Sequence, residues 1–167
     1  MGLFSAAHAL KTAPRATRRL AFGSLCLLVA LLLTSPFLLA KYAWDALAAS
    51  GDGRFLAVAS VHGLVASPFK VGYVAAKHGV IGLVKVLALE GAEVGISASA
   101  LCPAYVRTAL VEAQLDERSE DDLLAPQAVK RLLEPAEVAA AASWLLGPDG
   151  RAVTGTPFVM DLGWTAR

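Results

Sequence analysis

The sequence predicts an α/β fold built on a parallel sheet, and three features carry that expectation. Short apolar runs suited to buried strands, at 54–60, 96–102 and 156–162, are separated by stretches with helical spacing. Glycine and proline punctuate the joints between them. Strands alternating with helices imply a parallel sheet with helices on both faces, and 56% apolar residues in a 167-residue chain is ample for one core.

At the N-terminus, Arg15, Arg18 and Arg19 precede an uncharged, leucine-rich run over 20–40. That order suits an export signal or anchor, and the run only just reaches the ~20 apolar residues a membrane span needs. Thr34, Ser35 and Pro36 interrupt it. Pro36 suits the first turn of a new helix with Thr34 or Ser35 as its cap, so a cytoplasmic chain is the favoured reading and an anchor through 20–40 the alternative.

The helix opened by Pro36 carries apolar residues to Ser50 and stops at Gly51-Asp52-Gly53. Strand 54–60 follows, then helical spacing from Gly72 to Ala92, closed by Gly95. Strand 96–102 ends against Pro103. Glu117, Glu120, Asp121 and Asp122 form an acidic patch that reads as a solvated loop or helix face. Pro135 opens a helix to about Leu146, the turn Gly147-Pro148-Asp149-Gly150 ends it, and 156–162 supplies the last strand. Trp44 and Trp144 stand at helical spacing among apolar neighbours and read as core or interface packing.

Composition excludes several functions. Fifteen basic residues against fourteen acidic ones leave a formal charge of +1, which gives no electrostatic basis for binding nucleic acid. Cys26 and Cys102 lie in apolar runs far apart, without redox or zinc spacing, and read as buried thiols in a reducing compartment. His8, His62 and His78 form no metal-ligand pattern, and His78 reads as structural or solvent-facing.

One stretch stands out. "SVHGLVASPFKVGYVAAKHG", Ser60 to Gly79, gathers Ser60, His62, Lys70, Tyr73 and Lys77 in an otherwise bland chain. Tyr73 and Lys77 are one helical turn apart and share a face. Ser60 ends the preceding strand, at the carboxyl edge where parallel sheets present functional groups. A tyrosine hydroxyl ordinarily titrates near ~10, and a neighbouring ammonium favours its phenolate. The natural chemistry of such a trio is proton exchange with an alcohol or carbonyl oxygen while hydride moves to or from a cofactor.

These residues, with "CPAYVRT" at the next strand and "VTGTPFVMDLGW" near the C-terminus, resemble the short-chain dehydrogenase/reductase family over roughly Thr34 to Arg167. Within that family the Ser60–Gly79 phrase is specifically similar to D-3-hydroxybutyrate dehydrogenases. The resemblance implies that Tyr73 is the general acid/base, that Ser60 holds the substrate oxygen, and that Lys77 tunes Tyr73 and contacts the ribose of NAD. It implies that His62 and Lys70 hold a substrate carboxylate, with Gln127 as a further donor and Trp164 as a pocket wall. Pro103, Val106 and Thr108 fall on the segment that touches the cofactor, and Ala104 stands where relatives usually have glycine. The implied partners are a small hydroxy acid or ketone and further copies of the chain.

The sequence departs from the family in its first half. Neither G-x-G-x-x-G nor the family's glycine pattern precedes Ser60. The expectation is therefore a partial Rossmann-like, doubly wound parallel sheet lacking the N-terminal dinucleotide-binding half. A divergent basic-then-apolar segment over 1–33 would precede a catalytic half over 34–167, as in a truncated gene product. Leu32 occupies the place of a family asparagine in a proton relay, and the segment from Val111 to Gln127 is shorter than the substrate cover of relatives. A non-catalytic chain that docks to intact dehydrogenase subunits through the helices at 36–49 and 72–92 is the second reading.

Overall fold

The computed structural model describes residues 29–68, 70–115 and 119–166. Residues 20–28 of the apolar run, His8, Cys26 and Glu117 lie outside them. A π-helical turn, Ala30–Thr34, leads directly into α1, Ser35–Ala49. The backbone is already helical at Thr34, so neither Thr34 nor Ser35 caps α1 as the sequence suggested. The Ser35 hydroxyl instead donates to the Leu31 carbonyl one turn back, at 2.6 Å.

The rest of the chain builds β1 (Gly53–Val58), α2 (Val71–Gly91), β2 (Ile96–Pro103), α3 (Ala109–Leu115), α4 (Glu120–Leu124), α5 (Pro135–Leu146) and β3 (Pro157–Met160). The three strands lie in the order β1-β2-β3, all parallel, with Gly53 opposite Ile96 and Ala100 opposite Pro157. Parallel strands need long crossovers, and here helices supply them. Gly95 makes the turn into β2 at φ +73, in the left-handed region, with the Gly51 carbonyl close behind it.

Alternation along β1 sets the two faces. Phe55 and Ala57 join Ala98, Ala100 and Cys102 of β2 against Ala40 of α1 and Val80, Ile81, Val84, Leu87 and Ala88 of α2, forming the main core. Arg54 points the other way and donates to the Gly147 carbonyl at the end of α5, which covers that side. A smaller cluster of Val111, Leu123, Leu124 and Leu132 closes the lobe around α3 and α4 and packs against Tyr105.

Several sequence expectations change in detail. β1 stops at Val58, so Ala59 and Ser60 leave the strand, and β3 stops at Met160 because Asp161 begins a turn. Trp44 packs against the core, and Trp144, 43% exposed, lies on Phe158 with ring centres 5.8 Å apart. Glu120, Asp121 and Asp122 are exposed on α4, whose first turn is capped by the Ser119 hydroxyl. Among the described residues one helix, Val71–Val94, is long and apolar enough to cross a membrane, and it contains α2, which packs on the sheet.

Candidate active site

The carboxyl ends of the three strands meet at one edge, and the candidate residues collect there. Past β1 the chain turns tightly: the Ser60 side chain accepts a hydrogen bond from the His62 N–H at 3.2 Å and caps the 3-10 turn Val61–Gly63. That bond uses an oxygen lone pair and leaves the Ser60 hydroxyl hydrogen available to donate. Gly63 is required by proximity, since a Cβ there would lie 2.8 Å from the Lys77 carbonyl and 2.7 Å from Ile81. Its absence lets the turn carrying Ser60 and His62 rest directly on α2.

From α2, Lys77 reaches back to the strand. Its ammonium donates to the Val58 carbonyl, the last of β1, at 2.8 Å, and stands 5.6 Å from the centre of the Tyr73 ring. Burial is the main cause of a lowered Lys77 pKa, which nearby Cys102 partly opposes. The same burial pushes the Cys102 thiol up against the pull of the Ser60 backbone and Lys77. Cys102 is a protonated core group, as its apolar run suggested.

His62 is the hub on the opposite side. Its buried ring meets Tyr73 edge-on at 6.0 Å and Trp164 edge-on at 5.3 Å. Lys70 Nζ lies 3.5 Å from His62 Nε2 and 3.4 Å from the Tyr105 hydroxyl. Burial first, then the Lys70 charge, lowers the His62 pKa, and the Val65 backbone works weakly against them. A ring held neutral beside an ammonium presents one positive charge, not two. It is a setting that an entering carboxylate would stabilise.

Trp164 is delivered by β3. The Asp161 carboxylate accepts from the Gly163 N–H at 2.9 Å, the Thr165 N–H at 2.7 Å and the Thr165 hydroxyl at 2.6 Å. Burial alone would raise its pKa, but these hydrogen bonds from Thr165 and Gly163 outweigh it, so the net shift is downward. The pinned turn sets the Trp164 ring 5.4 Å from that of Tyr105.

The structure thus brings Ser60, His62, Lys70, Tyr73, Lys77 and Trp164 together. Gln127 does not join the donors: its amide nitrogen donates to the carbonyls of Val129, at 3.2 Å, and Arg131, at 2.7 Å. Its buried Oε1, an acceptor, has no hydrogen-bond partner among the described residues and offers nothing to a carboxylate. Gln127 therefore shapes the 127–131 loop. Tyr105 was missed at the sequence level, although it lies inside "CPAYVRT" just past the end of β2, between Pro103 and Val106. An aromatic at a carboxyl strand end was the available signal.

Pro103 is buried at the end of β2, Val106 bridges to Leu133, and Thr108 is exposed before α3. Lys77 borders a cavity of about 490 Å³ beside the edge of β1, shared with Ser35, Leu39 and Val58. Apart from Ser35 and Lys77 its lining is apolar, and Tyr73, Pro103, Val106 and Thr108 do not border it. Among the described residues no glycine-rich strand-to-helix turn stands at this edge to cradle a pyrophosphate.

A family model described as enoyl-(acyl carrier protein) reductase matches residues 5–165. The D-beta-hydroxybutyrate dehydrogenase of Rhizobium meliloti is 41% identical over 151 residues, covering 84% of this chain and 58% of its own length. That of Cupriavidus necator is 39% identical, with 84% and 58% covered. Among solved structures, 4-hydroxyisoleucine dehydrogenase complexed with NADH superposes with TM-score 0.78 and 30% identity, over 83% of this chain and 58% of that one. ElxO with NADP bound gives TM-score 0.76 and 28% identity, over 81% and 56%. The chain therefore spans just under three fifths of the length of these relatives.

Proposed function

The chain belongs to the short-chain dehydrogenase/reductase family, and on that premise we propose that it carries the proton-transfer and carboxylate-holding part of a site interconverting 3-hydroxybutyrate and acetoacetate with NAD. The observation that carries this reading is the Lys70–His62 pair, 3.5 Å apart, standing one ring contact away from Tyr73. A short acid bridging the two would place its reactive oxygen at the phenol.

In the proposed mechanism Lys70 and His62 bind the carboxylate, and Trp164 walls the apolar part of the substrate. The Ser60 hydroxyl donates to the reacting oxygen and orients it. Tyr73 Oη gives that oxygen a proton in the reductive direction and removes it in the oxidative one. Lys77 holds a positive charge over the Tyr73 ring while anchored to β1. A bound nicotinamide would supply or accept the hydride, and Tyr73, Lys77, Pro103, Val106 and Thr108 would hold its ribose and nicotinamide end. A cytoplasmic setting accords with the reduced Cys102.

Turnover by the whole chain of 3-hydroxybutyrate, lactate and 2-butanol, each with NAD and with NADP, tests the reading. Preference for 3-hydroxybutyrate with NAD supports it. Equal or better use of the carboxylate-free alcohol would reject the carboxylate assignment.

A specific observation favours association with other dehydrogenase subunits as a second reading. α1 exposes Phe37, Leu38 and Tyr42, and α2 exposes Val86 and Leu89; Phe37 and Val86 border a cavity of about 460 Å³ between the two helices. Apolar surface of this kind marks interaction sites. Sedimentation of the chain alone and beside an intact relative distinguishes self-association from docking.

A further inference from the structure

We propose that Tyr105 is a substrate-binding residue: its hydroxyl donates to the substrate carboxylate beside Lys70, adding a second donor to the carboxylate site next to the Lys70–His62 pair. This rests on the carboxylate reading above and adds a residue and a role to it. The argument is one of donors and acceptors. An ammonium has only hydrogens to give, so in the 3.4 Å contact Lys70 donates and the Tyr105 oxygen accepts. Among the described residues nothing takes the phenolic hydrogen, which is left beside the ammonium and ready for an anion held there.

The ring is fixed for that task. Lys70 Nζ lies 5.4 Å from its centre as well as near its hydroxyl, Trp164 packs on it at 5.4 Å, and the cluster of Val111, Leu123, Leu124 and Leu132 backs it. Its backbone is tied by the Leu133 N–H, which donates to the Tyr105 carbonyl at 2.9 Å. Two aromatic walls and a cationic end bounded by a directional donor select for a short, planar anion. The charge attracts it and the hydroxyl sets its orientation.

Binding of acetoacetate and of its neutral counterpart methyl acetoacetate to the whole chain, followed by ligand-observed NMR, separates the roles. The native chain should prefer acetoacetate. Tyr105→Phe keeps the ring and should weaken acetoacetate binding about tenfold, as for loss of one hydrogen bond to a charged group, while leaving the ester unchanged. Lys70→Met should abolish the preference. Native-like acetoacetate binding by Tyr105→Phe, with the preference still lost in Lys70→Met, would overturn the Tyr105 role alone. A native chain without any preference for the anion would overturn the carboxylate reading and this inference with it.

Discussion

Lys70 Nζ and His62 Nε2 are 3.5 Å apart in a site where the imidazole is buried. Two such groups cannot both carry charge cheaply without an anion between them. The consequence is a pH dependence whose sign follows from the lowered His62 pKa. Above the ordinary value of 6.5 both folded and unfolded chains carry a neutral ring. Below it the unfolded chain binds a proton that the folded chain resists, so stability falls as pH drops from 6.5 toward the folded value. Urea unfolding at pH 8 and pH 5.5 should show this loss in the native chain, and a smaller loss in His62→Gln. Equal losses would assign the acid sensitivity elsewhere.

Gly63 and Gly82 should respond oppositely to alanine. At Gly63 the new methyl meets the Lys77 carbonyl at 2.8 Å, and overpacking of this kind costs about 1–3 kcal/mol. At Gly82, inside α2, nothing lies within 4 Å, so alanine should stabilise the helix by about 0.5–1 kcal/mol. Denaturant midpoints of the two variants check both signs, and a neutral Gly63→Ala would mean the turn does not rest on α2 as described.

Asp161→Ala should cost about 2 kcal/mol, because it leaves the Gly163 and Thr165 N–H groups without their acceptor. It should also weaken acetoacetate binding through a displaced Trp164. Loss of stability with unchanged binding would detach Trp164 from the site.

Much of this was legible because periodicity reports burial. The apolar runs around Phe55 and Ala98 became parallel strands, and the spacing from Gly72 to Ala92 became α2, since both pack one continuous core. Tyr73 and Lys77 were readable because one helical turn fixes their mutual distance. Local pattern failed where a turn or a distant element chooses a side chain's partner. Ser60 looked like strand, yet its side chain caps a turn. Gln127 looked like a free donor, but its loop curls so that two backbone carbonyls take its hydrogens. Tyr105 gained meaning only when Lys70 and Trp164, distant in sequence, closed around it. Trp144 was readable only as core or interface packing, and the structure leaves it 43% exposed against Phe158.

The most direct test compares the native chain with Tyr73→Phe in the oxidation of 3-hydroxybutyrate by NAD. Acetoacetate affinity is measured in parallel to show that the pocket survives. The account predicts measurable turnover by the native chain and a loss of at least about 100-fold in Tyr73→Phe, with acetoacetate binding retained. Turnover by Tyr73→Phe at the native rate, or none by a folded native chain that binds both ligands, would contradict it.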